Sequence, residues 1–154
     1  MTEGFGLRLA REPDLPRIGE VIASAYDKYV GRMDPLPAPL LHDYQKEVRD
    51  ESVWVGGTPI IALIVLIRIG DSLLIENIAV EPSAQGSGVG RRLMDFAERE
   101  AVQRGIDRLA LYTSEVMTEN LAIYHHLGYA EVDRRFDNGY QRVFMEKRLL
   151  PFAG

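Results

Sequence analysis

A glycine-rich turn, Gln85 to Arg91, lies between an apolar segment and an amphipathic one and most constrains how this chain folds. The run from Leu73 to Val80 is mostly apolar and predicts a strand. Apolar residues at helical spacing from Val89 to Ala101 predict a helix. Glycine lets the backbone approach a ligand closely, and the first N–H groups of a helix have no partner within it. The turn therefore predicts an anion site suited to a pyrophosphate. Its glycines are Gly86, Gly88 and Gly90.

The spacing of apolar residues elsewhere predicts a mixed α/β fold, with all residues, 1–154, in one domain. Three strands joined by tight turns precede the glycine-rich turn, which implies an antiparallel meander. The helix after the turn is a crossover, so the fourth and fifth strands are expected to be parallel neighbours. The predicted strands are 7–10, 52–55, 60–69, 73–80, 109–113, 129–136 and 140–149; the predicted helices are 13–29, 40–49, 89–101 and 118–127, with an extended loop at 31–39.

The composition restricts the classes of partner. The chain has 18 basic and 23 acidic side chains and a net charge of −5. Its overall field repels phosphates, so we expect no nucleic acid and no membrane as partners, and an anionic ligand needs a local site. The lack of cysteine excludes disulfides, thiolate zinc sites and a cysteine nucleophile. Because His125 and His126 are adjacent on a predicted helix and point apart, we expect no metal.

The hydropathy of the sequence bears on location. The longest apolar stretch, Ile60 to Ile67, has eight residues, whereas a spanning helix needs about 20. Residues 1–6 lack a basic start and an apolar run, so no signal peptide is expected. A cytoplasmic location is the expectation that follows.

Known glycine motifs distinguish the ligands that the turn can serve. The nucleoside triphosphate loop requires lysine after its last glycine, but Arg91 follows Gly90. The dinucleotide fingerprint requires a third glycine where Arg91 stands. A third pattern, Gln/Arg-x-x-Gly-x-Gly/Ala, is matched by Gln85, Gly88 and Gly90. The Gly-x-Ser-x-Gly elbow of serine hydrolases does not occur.

Three segments in this order and spacing resemble the GNAT superfamily of N-acyltransferases: Leu74–Pro82, the glycine-rich turn, and Asn120–Tyr129. The resemblance implies a central, mixed and mostly antiparallel seven-stranded sheet flanked by about four helices, with strands four and five parallel and splayed. One departure concerns Met117, which stands where many relatives have asparagine. Asn120 lies one turn before Tyr124 on the same helix face.

The resemblance also implies acetyl-CoA as co-substrate. The turn binds its pyrophosphate, and the backbone of the fourth strand bonds the pantetheine arm. The implied cofactor-binding residues are Ile78, Ala79, Val80, Gln85, Gly86, Ser87, Gly88, Val89, Gly90, Arg91, Asn120 and Tyr124.

Transfer of an acetyl group to an amine requires a proton donor and a proton acceptor. Tyr124 is the predicted general acid for the leaving thiolate, because a phenol of pKa about 10 stays protonated at neutral pH. Glu76 is the predicted base, since it interrupts an apolar strand and strand alternation places it on one face with Ile78 and Val80. Glu115 and a water chain are the alternatives to Glu76.

The acceptor is expected to be a primary amine of a small molecule or peptide. By resemblance its site is bordered by residues 31–39 and 137–140, and three acids near these segments would attract a cationic amine: Asp34, Asp43 and Asp137. Dimers are common in such families, so a homodimer is one expected assembly. A non-catalytic acyl-CoA-binding sensor or interaction domain and an ATP-binding protein are the competing hypotheses for the same turn.

Overall fold

The computed structural model describes residues 6–32, 36–137 and 139–149. These residues form seven strands and five α-helices. The strands are β1 (Leu7–Leu9), β2 (Val53–Gly56), β3 (Ala62–Ile69), β4 (Ser72–Val80), β5 (Arg108–Ser114), β6 (Ala130–Asp137) and β7 (Tyr140–Arg148). The helices are α1 (Leu15–Val30), α2 (Ala38–Leu41), α3 (Gln45–Arg49), α4 (Val89–Gln103) and α5 (Thr118–His126).

The strands form one sheet in the order β1-β2-β3-β4-β5-β7-β6. β4 and β5 are parallel, which confirms the prediction from the crossover helix. Their paired register runs from Leu73–Leu109 to Ile75–Leu111, although β4 continues to Val80 and β5 to Ser114. The pairs β1–β2, β2–β3, β5–β7 and β6–β7 are antiparallel. The mixed seven-stranded sheet is the predicted fold class.

The prediction of one continuous helix over Leu40–Arg49 was wrong. The structure has two short helices, α2 and α3, because His42 adopts an extended conformation with φ −93° and ψ 144°. Pro39 lies in the first turn of α2, where a missing N–H costs nothing, so the extended loop ends earlier than predicted. Asp43 then accepts the N–H of Gln45 at 3.0 Å as α3 begins. The split accounts for five helices instead of the expected four.

The chain divides into two compact units. The first comprises residues 1–66 and 77–95, and the second comprises residues 67–76 and 96–154. In the first unit, the core is built from one face of α1 and from β2 and β3, with Ile18, Val21, Ile22, Val53, Val55, Leu63, Ile64 and Val65 at most 3% exposed. In the second, Leu73, Leu109, Leu111, Val143 and Met145 are at most 2% exposed.

α4 carries the apolar stripe that the sequence predicts. Val89, Leu93, Ala97 and Ala101 are buried at intervals of four residues, so one face of the helix is apolar along its whole length. No helix within the described ranges combines the length and apolarity of a membrane span.

A carboxylate fixes the entry into α1. Asp14 accepts two hydrogen bonds from the Arg8 guanidinium, at 2.8 and 3.0 Å, and one from the N–H of Arg11 at 2.8 Å. The Asp14 side chain is 15% exposed and the Arg8 side chain 49%. The hydrogen bonds from Arg8, and then that from Arg11, hold the pKa of Asp14 below its usual range despite partial burial.

We expect Asp14→Asn to lower the free energy of unfolding by about 1 kcal/mol at pH 7, because it removes a charge-assisted pair whose arginine is half exposed. A carboxylate with a lowered pKa stabilises the fold above its unfolded-state pKa of about 3.9, and that stabilisation is lost as the pH falls through the folded-state value. Urea unfolding at pH 7 and at successively lower pH measures both effects. The control is Asp27→Asn on the exposed side of α1. Equal losses for the two variants, or a loss that persists unchanged in acid, would contradict the assignment.

Candidate active site

The glycine-rich turn connects the end of β4 to the start of α4. Gly86 has φ +83° and Gly88 has φ +89°, a region that other residues enter only with strain. A Cβ at either position would meet nothing within 4 Å. The backbone conformation, and not a lack of space, therefore requires glycine here.

Glu81 fixes the chain just before this turn. Its N–H bonds the Ile61 carbonyl at 2.8 Å. Its carboxylate accepts hydrogen bonds from Arg17 Nη2 at 3.1 Å and from the Ser83 hydroxyl at 3.2 Å. Arg17 in turn donates from Nε to the Ile60 carbonyl at 2.9 Å. The end of β4 is thereby tied to α1 and to the segment before β3.

Two side chains of the predicted cofactor-binding set bond to nearby backbone. Gln85 donates from Nε2 to the Val80 carbonyl at 3.0 Å, which folds the turn back on the strand. The Ser87 hydroxyl donates to the Ala84 carbonyl. These hydrogen bonds shape the turn before any ligand is present.

The N-terminus of α4 is where the sequence predicts anion-binding groups. The first helical hydrogen bond at this end of α4 runs from the Arg92 N–H to the Gly88 carbonyl at 3.1 Å. The N–H groups of Val89, Gly90 and Arg91 precede it, at the positive end of a 15-residue helix. The Arg91 side chain is exposed. This local positive character is what an acidic chain needs to hold a phosphate.

β4 presents two faces of different character. Leu73, Ile75, Asn77 and Ala79 are buried, whereas Leu74, Glu76, Ile78 and Val80 are half-buried. The half-buried face therefore carries Glu76, Ile78 and Val80, the three residues that the sequence predicts to share one face. Ala79, also in the predicted cofactor-binding set, has its side chain in the core.

Sequence reasoning missed a buried polar network on the core side of β4. Asn77 is 5% exposed, and its Oδ1 accepts the Tyr26 hydroxyl at 2.6 Å. Its Nδ2 donates to the Tyr44 hydroxyl at 3.1 Å. The Tyr26 hydroxyl also lies 3.5 Å from the Ile78 carbonyl. The available signal was the asparagine itself, a polar residue in an apolar strand.

The predicted acceptor-site acids have different surroundings. Asp43 accepts the N–H of Gln45, the first residue of α3. Asp137 pairs with Arg142 at 3.7 Å. Asp34 lies outside the described residues. A further pair that the sequence did not indicate joins His42 Nε2 and Glu47 Oε2 at 2.5 Å, with the His42 ring edge-on to Tyr44.

Tyr124, the predicted general acid, lies half-buried near the end of α5. Its ring centroid is 6.0 Å from that of Tyr129. Tyr129 is 3% exposed, and its hydroxyl has no hydrogen-bond partner in the described part of the chain. Burial, and then the charge of Glu98 and the nearby Tyr124, raise the pKa of Tyr129 far above its ordinary value.

Met117 occupies a buried position at the start of α5. It is 5% exposed, and its sulfur accepts the Thr113 hydroxyl at 3.4 Å. Asn120 donates from Nδ2 to the same sulfur at 3.7 Å. The departure from the family pattern thus places a thioether where an amide is usual, with Asn120 against it.

The two predicted carboxylate bases differ in their surroundings. Glu76 is half-buried, and its charge acts on Tyr112: burial, and then Glu76, raise the pKa of Tyr112. Tyr112 therefore remains a neutral phenol at physiological pH. Glu115 pairs with Arg134 at 3.6 Å, and Arg134 makes two further 3.0 Å hydrogen bonds to Glu131. No group of three potential metal-ligating residues occurs within the ranges that the structure describes.

Comparison with known proteins identifies the family. The model of the Acetyltransferase (GNAT) family matches residues 20–129. The chain is 27% identical over 128 residues to the IAA acetyltransferase of Azospirillum brasilense, a match that covers 80% of this chain and 84% of that protein.

Two solved structures share the fold. The PaiA N-acetyltransferase from Thermoplasma acidophilum, in complex with coenzyme A, superposes with a TM-score of 0.79 at 21% identity, covering 94% of this chain and 98% of that one. A GNAT family acetyltransferase from Elizabethkingia anophelis with acetyl-CoA bound gives a TM-score of 0.66 at 18% identity, covering 96% and 99%. Because the family model spans most of the chain, including Glu76, the glycine-rich turn and Tyr124, the chain is an acetyltransferase of the GNAT family.

Proposed function

We propose that this protein transfers the acetyl group of acetyl-CoA to a primary amine of a small molecule or peptide. The observation that carries the proposal is the conformation of the glycine-rich turn, with two positive-φ glycines followed directly by the start of α4. The hydrogen bond from Gln85 to Val80 supports that conformation. A turn of this kind binds a diphosphate through backbone N–H groups and needs no metal to do so.

The proposed reaction is direct transfer without a covalent enzyme intermediate. The amine nitrogen attacks the thioester carbonyl carbon, a C–N bond forms, and the C–S bond breaks to release coenzyme A. A backbone N–H of β4, in the segment Ile78 to Val80, polarises the thioester carbonyl. Bound acetyl-CoA would supply the activated thioester; the chain's own groups bind it and move protons.

Proton transfer is assigned to two side chains. Tyr124 donates its phenolic proton to the leaving thiolate, whose thiol has a pKa of about 8.5. Glu76, directly or through water, takes a proton from the attacking amine, which is mostly protonated at neutral pH. The half-buried position of Glu76 on the face of β4 that also carries Ile78 and Val80 supports this assignment.

Substitution of Gly88 tests where the diphosphate binds. Any side chain at φ +89° strains the turn, so we compare two side chains of equal size, Gly88→Asp and Gly88→Asn. We expect Gly88→Asp to weaken coenzyme A binding at least about tenfold more than Gly88→Asn, because only the carboxylate repels the phosphates. Calorimetric titration measures both affinities. Equal affinities for the two variants, or a wild-type preference for ATP over acetyl-CoA, would show that the turn serves another ligand.

Removal of the Tyr124 hydroxyl tests the general acid. We expect Tyr124→Phe to lower kcat by about 100-fold, the usual contribution of a positioned proton donor. Since the ring remains, the affinity for coenzyme A should change by no more than a few-fold. Release of free thiol from acetyl-CoA with a panel of amines measures the rate.

The neighbouring tyrosine provides a matched control for this variant. Tyr129→Phe removes a buried, unpartnered hydroxyl from the ring beside Tyr124. It should leave kcat unchanged and should not destabilise the protein. A normal kcat in Tyr124→Phe would remove Tyr124 from the mechanism. Tight acetyl-CoA binding by the wild type, with no amine-dependent thiol release, would instead indicate a non-catalytic acyl-CoA sensor.

A further inference from the structure

Arg142 on β7 is a nearly buried cation that the proposed mechanism does not use. Its side chain is 11% exposed. Its guanidinium carbon lies 4.4 Å from the ring centroid of Tyr112 and 5.5 Å from that of Tyr140. Burying a charge is costly unless the charge is both paired and hydrogen-bonded. The pairing of Arg142 therefore indicates whether its role is structural.

The charge pairing of Arg142 is loose for a buried group. Its Nη1 stands 3.7 Å from the nearest oxygen of Asp137, beyond hydrogen-bond distance, and Asp137 is itself 39% exposed. By contrast, Arg134 is 46% exposed yet makes two 3.0 Å hydrogen bonds to Glu131. The positive charge of Arg142 also opposes the rise in the pKa of Tyr112 that burial causes. Its planar set of five N–H donors matches a carboxylate in two-point geometry, and Asp137 does not supply that contact.

The neighbouring strand adds positive charge beside Arg142. Arg135 on β6 stands directly opposite Arg142 in the β6–β7 register, and like charges in that position repel. Arg135 stacks at 4.1 Å over Phe144 and hydrogen-bonds Asp133. Two guanidinium groups are thus opposed across the hairpin, a local field that favours an anion.

A carboxylate lies on the other side of Tyr112. Leu74 pairs with Ala110 in the parallel register, so Glu76 and Tyr112, each two residues further on, share a sheet face. Burial, and then the negative charge of Glu76, raise the pKa of Tyr112. The strand order β4-β5-β7 then gives Glu76, Tyr112 and Arg142 on successive strands. In the β5–β7 register Tyr112 is opposite Phe144, and Arg142 lies two residues away on β7 with its guanidinium carbon 4.4 Å from the Tyr112 ring. Opposite charges, Glu76 and Arg142, therefore act on the same phenol from the two strands beside it.

We propose that the acceptor of this enzyme is an amine of the amino acid class, whose carboxylate binds Arg142 and whose amine faces Glu76. This inference rests on the proposed function and names its substrate class. Arg142 acts as a specificity-determining residue: it holds the acceptor by a group that does not react, while Glu76 receives the proton of the group that does.

The test compares each of the twenty L-amino acids with its own α-amide as acceptor. Amidation removes the carboxylate charge and lowers the amine pKa, which by itself favours reaction of the amide. We expect kcat/KM for the best amino acid to exceed that for its amide by at least about tenfold, the usual effect of a two-point charged pair. In Arg142→Gln, KM for the acid should rise at least about tenfold while kcat/KM for the amide stays within a few-fold. Arg142→Lys, which keeps the charge but not the planar geometry, should fall between the two.

Arg134→Gln is the matched control, since Arg134 is on the same hairpin but 46% exposed and hydrogen-bonded to Glu131. It should leave the preference for the acid intact, and every variant should bind coenzyme A as the wild type does. A wild type that accepts acids and amides equally, or a preference for acids that survives in Arg142→Gln, would overturn the proposal.

A binding measurement separates this proposal from the proposed function. Calorimetric titration of the coenzyme A complex with each acid and its amide needs no turnover. Preferential binding of acids by the wild type and not by Arg142→Gln, without acetyl transfer, would support the carboxylate site and refute the reaction. Acetyl transfer that ignores the carboxylate would refute only the site. Equal binding of acids and amides by the wild type would refute the site whether or not transfer occurs.

Discussion

The change from strand to helix after β4 is the constraint on which the rest of the site depends. Between Val80 and Val89 the chain must reverse, start α4 and leave the first N–H groups of that helix free. Gly86 and Gly88 adopt the positive φ angles that the turn requires. The conformation of the turn is then held by the Glu81–Arg17 ion pair and by the hydrogen bond from Gln85 to the Val80 carbonyl. A turn held in this way pays little reorganisation cost when a phosphate binds, because its dipoles already have their orientation.

β4 has a polar residue on each of its faces, Asn77 on the buried side and Glu76 on the half-buried side, and the surroundings of the two differ. On the buried side, the amide oxygen and the amide nitrogen of Asn77 each bond a tyrosine hydroxyl, at 2.6 and 3.1 Å. Such a network fixes one arrangement, since any partner lost would leave a buried amide unsatisfied. On the half-buried side, Glu76 lies beside a phenol and keeps access to water. The core network thus makes rigid the same strand whose other face carries the proposed base.

The sequence predicts the features that depend on local periodicity and fails on those that depend on distant partners. The strand pattern, the apolar stripe of α4 and the parallel pairing of β4 with β5 all follow from residue spacing. The Asn77 network does not, because its tyrosines lie 51 and 33 residues away in the chain. The break between α2 and α3 was missed because helical spacing continued through His42, whereas in the structure His42 is extended and its ring pairs with Glu47 five residues later. Sequence reasoning assigned no role to Arg142, because Tyr112 comes beside it only through the β5–β7 register, although Tyr140 lies two residues before it in the chain.

A net charge of −5 describes the long-range field and says little about either proposed binding region, because both depend on a few positive groups in partly buried surroundings. At the turn, helical N–H groups supply the positive charge; beside Tyr112, a guanidinium does. Burial of the Arg142 guanidinium destabilises the folded protein in the absence of a partner anion. Its 3.7 Å ion pair with Asp137 and its contacts with two aromatic rings offset the desolvation cost only in part. A carboxylate bound to Arg142 would offset this desolvation cost. Binding of an acidic acceptor would therefore also stabilise the folded chain, because ligand affinity and folding stability are thermodynamically linked.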